Sequence, residues 1–126
     1  MRFWKTIIWA VFILVICILP SDDIERVRFI NIPYMDKFVH LGLYFILTLF
    51  LISDFAVFSN VQPKRNILII AVFSIALSYG ILIELIQLWF TSSRSADVWD
   101  AIADGLGVII ALLNYRWINR VTSGWV

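Results

Sequence analysis

Residues 67–90 read ILIIAVFSIALSYGILIELIQLWF. One charged side chain, Glu84, interrupts an apolar run that exceeds the ~20 residues needed to cross a hydrocarbon core of ~30 Å as a helix. Gly80, Glu84, Gln87 and Thr91 follow at intervals of four, three and four, so a helix carries them along one stripe. An ionisable group in lipid costs roughly 3 kcal/mol on insertion scales. The stripe therefore predicts a packed face, with Glu84 turned toward protein and not toward acyl chains.

Working outward, three more apolar stretches flank this one, at 3–19, 38–58 and 98–118. With 62% hydrophobic and 15% charged residues in 126, the chain is too apolar for a soluble fold. The expectation is one all-α domain over 1–126, an integral membrane bundle of four transmembrane helices. A formal charge of +1 without a basic stripe excludes nucleic acid as a partner. The single Cys17 excludes an internal disulfide and a cysteine-based metal cluster, and it reads as a buried helix residue. The stretch 3–19 is the shortest and relies on Arg2 and Lys5 snorkelling at its end. It also has the basic start and apolar core of a signal peptide, but no small-x-small cleavage site precedes Pro20, so it is expected to stay.

Placement of Lys and Arg sets the orientation. With both termini inside, Arg2, Lys5, Lys64, Arg65, Arg116 and Arg120 are cytoplasmic, and Arg26, Arg28, Lys37 and Arg94 are outside. The outer four sit among Asp22, Asp23, Glu25, Asp36 and Asp97, whereas the inner loops carry only Asp54. Trp4 and Trp117 anchor the inner interface; Tyr34, Trp89 and Trp99 anchor the outer one. The segment 60–66, with Pro63, is a short turn, and Ser95 is placed to cap the last helix. Between Pro20 and Lys37, capping-box spacing at Asp22 to Glu25 and helical recurrence of Ile24, Val27 and Ile30 predict a short helix in the outer interface, ending near Pro33.

This topology gathers the polar residues at the outer face. Asp36 and His40 share one side of the second span, four residues apart. Asp97, Asp100, Asp104, Gly107 and Ala111 form a stripe on the fourth. At ~1.5 Å per residue, Glu84 and Asp104 each lie roughly 10 Å below the outer helix ends. The expected cluster is Asp36, Lys37, His40, Glu84, Gln87, Arg94, Asp97, Asp100 and Asp104, with Gly80, Gly105, Gly107 and Ala111 as a close-packing seam. Each polar member has a structural alternative. Asp36 and Lys37 suit an interfacial cap, His40 and Gln87 suit contacts between helices, Arg94 suits a counterion, and Asp97 suits a helix N-terminal charge. Five carboxylates against Lys37 and Arg94 call for protons or a cation, and the set with one imidazole suits a divalent metal, although no known metal motif such as H-E-x-x-H is present. An amine or sugar hydroxyls fit the same groups. In the inner half, Ser74 and Ser78 are the only polar side chains near a path, which argues against transport.

Two segments also carry a resemblance. Asp36-Lys37-Phe38-Val39-His40, continuing to Tyr44, resembles the opening signature of the VanZ-like membrane protein family. Glu84-Leu85-Ile86-Gln87, then Arg94, Asp97 and Asp100 with Gly107 behind, resembles its second signature. At position 104 this chain has Asp where the family often has Asn. The resemblance implies a multi-pass protein of the bacterial cytoplasmic membrane in a family associated with resistance to teicoplanin, a lipid-tailed glycopeptide, by a mechanism not established.

Three functional readings follow. In the first, membrane lipids surround a non-enzymatic protein whose outward acidic pocket binds a lipid-linked cell-wall precursor or a lipoglycopeptide; Glu84, Asp100 and Asp104 accept hydrogen bonds, Gln87 orients the ligand and Arg94 holds carboxylates or a phosphate. In the second, the carboxylates hold a divalent metal and His40 or Glu84 serves as general base of a hydrolase or transferase. In the third, the polar groups tie the helices of a structural accessory subunit together.

Overall fold

The structure, a computed structural model, describes residues 3–18, 35–58, 64–90 and 98–121, the side chains of 35, 36 and 56–58 aside. Four helices result: α1 (Trp4–Ile18), α2 (Met35–Phe58), α3 (Arg65–Phe90) and α4 (Val98–Val121). No strand occurs among the described residues. α2 begins at Met35 and not at residue 38, and α4 runs on to Val121, because backbone hydrogen bonding continues through polar residues after the apolar run has ended. The expected interfacial helix between Pro20 and Pro33, the turn at 60–66 and the cap at Ser95 fall largely or wholly outside the described residues.

Three helical stretches, Lys37–Phe55, Arg65–Phe90 and Val98–Val121, are long and apolar enough to cross a membrane. The 15 residues of α1 reach only roughly 22 Å at ~1.5 Å per residue. Contacts give the helix directions. Lys5 and Thr6 at the start of α1 meet Ser53 and Asp54 near the end of α2, and Trp9 Nε1 donates to Leu43 O at 2.9 Å, so these two run in opposite senses. Tyr79 donates to the carbonyl of Ala10, and Gln87 Nε2 donates to that of Cys17 at 3.0 Å, so α1 and α3 run alike. Lys37 meets Asp100 and His40 meets Asp104, so α2 and α4 run alike. The helices therefore alternate in direction, and the end of α3 lies beside the starts of α2 and α4.

α2 touches all three other helices. More than half of its apolar window is buried, 56% against 22% and 28% for those of α3 and α4. Its seam with α4 is closed by the absence of a side chain. A Cβ built on Gly107 would lie 2.3 Å from the carbonyl oxygen of Leu41 and 3.1 Å from the amide nitrogen of Phe45. Backbone meets backbone there, the contact that small residues permit in membrane bundles. Ala111 continues the seam, fully buried against Leu49. Gly105, expected in the same seam, has no atom within 4 Å of its Cβ position and does not belong to it.

The distribution of polarity is inverted relative to a water-soluble fold. Ile8, Val11 and Val15 on α1, Ile81 and Leu88 on α3, and Leu106, Ile109 and Leu113 on α4 are exposed, while His40, Thr48, Ser53, Asp54, Glu84, Gln87 and Asp104 are buried. An exterior of this kind is stable only against lipid. The half of the bundle that holds the start of α1 and the end of α2 differs from the sequence expectation. Ser74 and Ser78 are exposed, and among the described residues the buried polar groups of that half are Thr48, Ser53 and Asp54.

Candidate functional site

At the end where α2 and α4 begin, α2 presents Lys37, His40 and Tyr44 at helical spacing, and α4 presents Asp100 and Asp104 one turn apart. Because Gly107 lets the two backbones touch, short side chains bridge the gap. Lys37 Nζ donates to Asp100 Oδ1 at 2.8 Å. One turn deeper, His40 Nδ1 lies 2.9 Å from Asp104 Oδ1, and its other nitrogen, Nε2, faces Asp100 Oδ2 at 3.8 Å. The result is a ladder of alternating basic and acidic side chains, Lys37, Asp100, His40, Asp104, running from a half-buried rim to an enclosed floor. Lys37 and Asp100 remain 23% and 14% exposed, whereas His40 and Asp104 are nearly sealed at 6% and 3%. In so dry a setting, removing one partner of such a pair is costly.

Glu84 enters from α3. One ligand atom each from His40, Glu84 and Asp104 lie within 4.8 Å of one another, all three residues being buried. Gly80, one turn before Glu84, makes room: a Cβ there would stand 3.2 Å from Asp104 Oδ2 and 3.5 Å from the Tyr44 hydroxyl. The Tyr44 hydroxyl is fully buried and has no hydrogen-bond partner among the described residues. Beside the ladder, on the lipid side, Phe38, Leu41, Trp99, Ile102, Ala103 and Leu106 line a groove of ≈ 340 Å³ between α2 and α4, with Lys37 at its polar end.

Of the nine residues that the sequence points to, Lys37, His40, Glu84, Asp100 and Asp104 are brought together here. Gln87 is buried one turn from Glu84, and its amide nitrogen donates to the Cys17 carbonyl of α1. Asp36 lies in the first turn of α2 with its side chain outside the described set, and Arg94 and Asp97 lie outside the described residues. Tyr44 was visible in the sequence only as part of a family signature, yet its spacing of four from His40 already put it on the same face. Sequence reasoning also missed a second polar cluster at the opposite end. Asp54, read as an inner-loop charge, is 1% exposed within α2. Its Oδ2 accepts from Thr6 N at 3.2 Å and Thr6 Oγ1 at 2.7 Å, and Lys5 Nζ donates to Ser53 Oγ at 2.7 Å while standing 4.0 Å from Asp54 Oδ1. That cluster fastens α1 to α2.

A helical bundle with an apolar exterior and a buried histidine–carboxylate ladder near one end is a multi-pass membrane protein with an intramembrane polar site. The chain belongs to the VanZ/LLP1 family, which it matches over residues 3–119, from the start of α1 into the last turn of α4. No curated protein and no solved structure matches it.

Proposed function

We propose that this VanZ-like protein, with both termini in the cytoplasm of a bacterium, binds an amphiphile from the outer leaflet of the inner membrane: a lipid-linked cell-wall precursor or a lipoglycopeptide. One observation carries the reading. The Lys37–Asp100 pair, half-open to the surface, sits at the polar end of the apolar groove lined by Leu41, Ala103 and Leu106. A head group bearing hydroxyls, an amine or a phosphate finds both a donor and an acceptor at that pair, and an acyl or prenyl chain lies along the groove. Polar groups fix orientation and apolar lining supplies area, as in small-molecule sites generally.

The test uses the full chain in nanodiscs, with teicoplanin and a lipid-linked cell-wall precursor as probes. Asp100→Asn weakens the polar end, and Ala103→Trp fills the groove next to it. Each is expected to lower affinity roughly tenfold, about 1.4 kcal/mol. Wild-type affinity in both variants for both probes sinks the proposal.

A further inference from the structure

The floor of the site holds groups that head-group recognition at the rim does not use. We infer that His40, Glu84 and Asp104 form a binding site for a divalent transition-metal ion of the Mn²⁺ or Zn²⁺ class. This goes beyond amphiphile binding and does not depend on it.

Geometry supplies the first argument. The three ligand atoms lie within 4.8 Å of one another. Opposite ligands of an ion with bonds of ~2.1 Å stand about 4.2 Å apart, so side-chain rotations of some tenths of an ångström complete the set. The 2.9 Å between His40 Nδ1 and Asp104 Oδ1 is already the spacing of adjacent ligands. Charge supplies the second. Two carboxylates, a neutral imidazole and a dication sum to zero, the least costly state for such a cluster within a bilayer.

The surroundings supply the third. A metal-bound histidine ordinarily directs its other ring nitrogen at an outer carboxylate or carbonyl. With Nδ1 turned to the floor, Nε2 of His40 faces Asp100 at 3.8 Å, and Asp100 is itself held by Lys37 at 2.8 Å. The Tyr44 hydroxyl, fully buried and without a hydrogen-bond partner among the described residues, is directed into the same space beside Gly80 and Asp104 Oδ2. It can ligate the ion or bind its water. The donor set, one nitrogen with carboxylate oxygens, selects Mn²⁺ or Zn²⁺ over the all-oxygen preference of Mg²⁺ and Ca²⁺.

His40 is the only histidine in the chain, so any imidazole nitrogen seen at a bound ion is assigned without mutation. Full-length protein, purified through a histidine-free tag, stripped of metal and placed in zwitterionic nanodiscs, is titrated with Mn²⁺ and followed by electron paramagnetic resonance. The expected result is saturable binding of about one ion per chain, displaced by Zn²⁺, with nitrogen coupling in the electron spin-echo modulation. Glu84→Gln and Asp104→Asn, which keep shape, are expected to weaken binding by at least the roughly 10–100-fold that losing even an outer partner costs. Absence of saturable binding in the wild type, binding without nitrogen coupling, or undiminished affinity in both variants overturns the inference.

Discussion

Gly107→Ala isolates the contact that holds the site together. The added methyl would lie 2.3 Å from the Leu41 carbonyl oxygen, where ordinary carbon–oxygen contacts begin at about 3.3 Å. A backbone carbonyl inside a helix cannot swing away, so α2 and α4 must part by roughly 1 Å at this level if contact distances of that order are to be restored. Leu41 adjoins His40, and Gly107 is one turn from Asp104; a separation of that size stretches the 2.9 Å His40–Asp104 contact beyond hydrogen-bond length. Overpacking of this kind costs about 1–3 kcal/mol. Gly105→Ala is the matched control. Nothing lies within 4 Å of its Cβ position, and alanine in a helix interior gains roughly 0.5–1 kcal/mol over glycine. The two alanines, two residues apart, therefore act with opposite sign. Unfolding in mixed detergent micelles, read by tryptophan fluorescence, measures the stabilities. Nuclear magnetic resonance of the single imidazole reports whether His40 has lost its partner. Equal stabilities for the two variants, or an unmoved His40 signal in Gly107→Ala, refutes the reasoning.

Asp54→Ala strands the Thr6 hydroxyl and amide and should cost about 1–3 kcal/mol in the same unfolding assay, while Asp54→Asn, whose amide oxygen still accepts, costs less. A neutral alanine would show that α1 is held by its apolar contacts alone. Gln87→Ala removes the tie to the Cys17 carbonyl and is expected to lose about 0.6 kcal/mol, the average for a hydrogen bond between membrane helices, with teicoplanin affinity unchanged. Unchanged stability with lost affinity would instead make Gln87 a ligand contact.

Much of the site was legible because helices convert sequence spacing into depth and facing. Counting residues put Glu84 and Asp104 at one level and His40 on a shared face with Asp36, and the structure brings His40, Glu84 and Asp104 into contact range. What counting does not supply is rotation against a neighbour. Gly105 and Gly107 look equivalent in sequence, yet two residues turn a helix by roughly 200°, and only one of them meets α2. Asp54 was misread for a related reason. Its value depends on Thr6 and Lys5, which are remote in sequence and approach only because α1 runs against α2. The Lys37–Asp100 pair is likewise a product of the tight seam, since neither residue alone distinguishes a buried pair from two interfacial charges.

The central position of α2 has a consequence for how the chain is made. Its two ends are satisfied by helices on opposite sides of it in the order of synthesis. Asp54 finds Thr6 and Lys5 on α1, already emerged when α2 leaves the ribosome, so the first hairpin is self-sufficient at that end. His40 and Lys37 must wait for Asp104 and Asp100 on α4, which is translated after α2 and α3. Until then neither of these two contacts can form, and of the carboxylates around His40 only Glu84 on α3 has been made. A nascent chain halted before α4 therefore lacks both contacts that close the site in the finished protein.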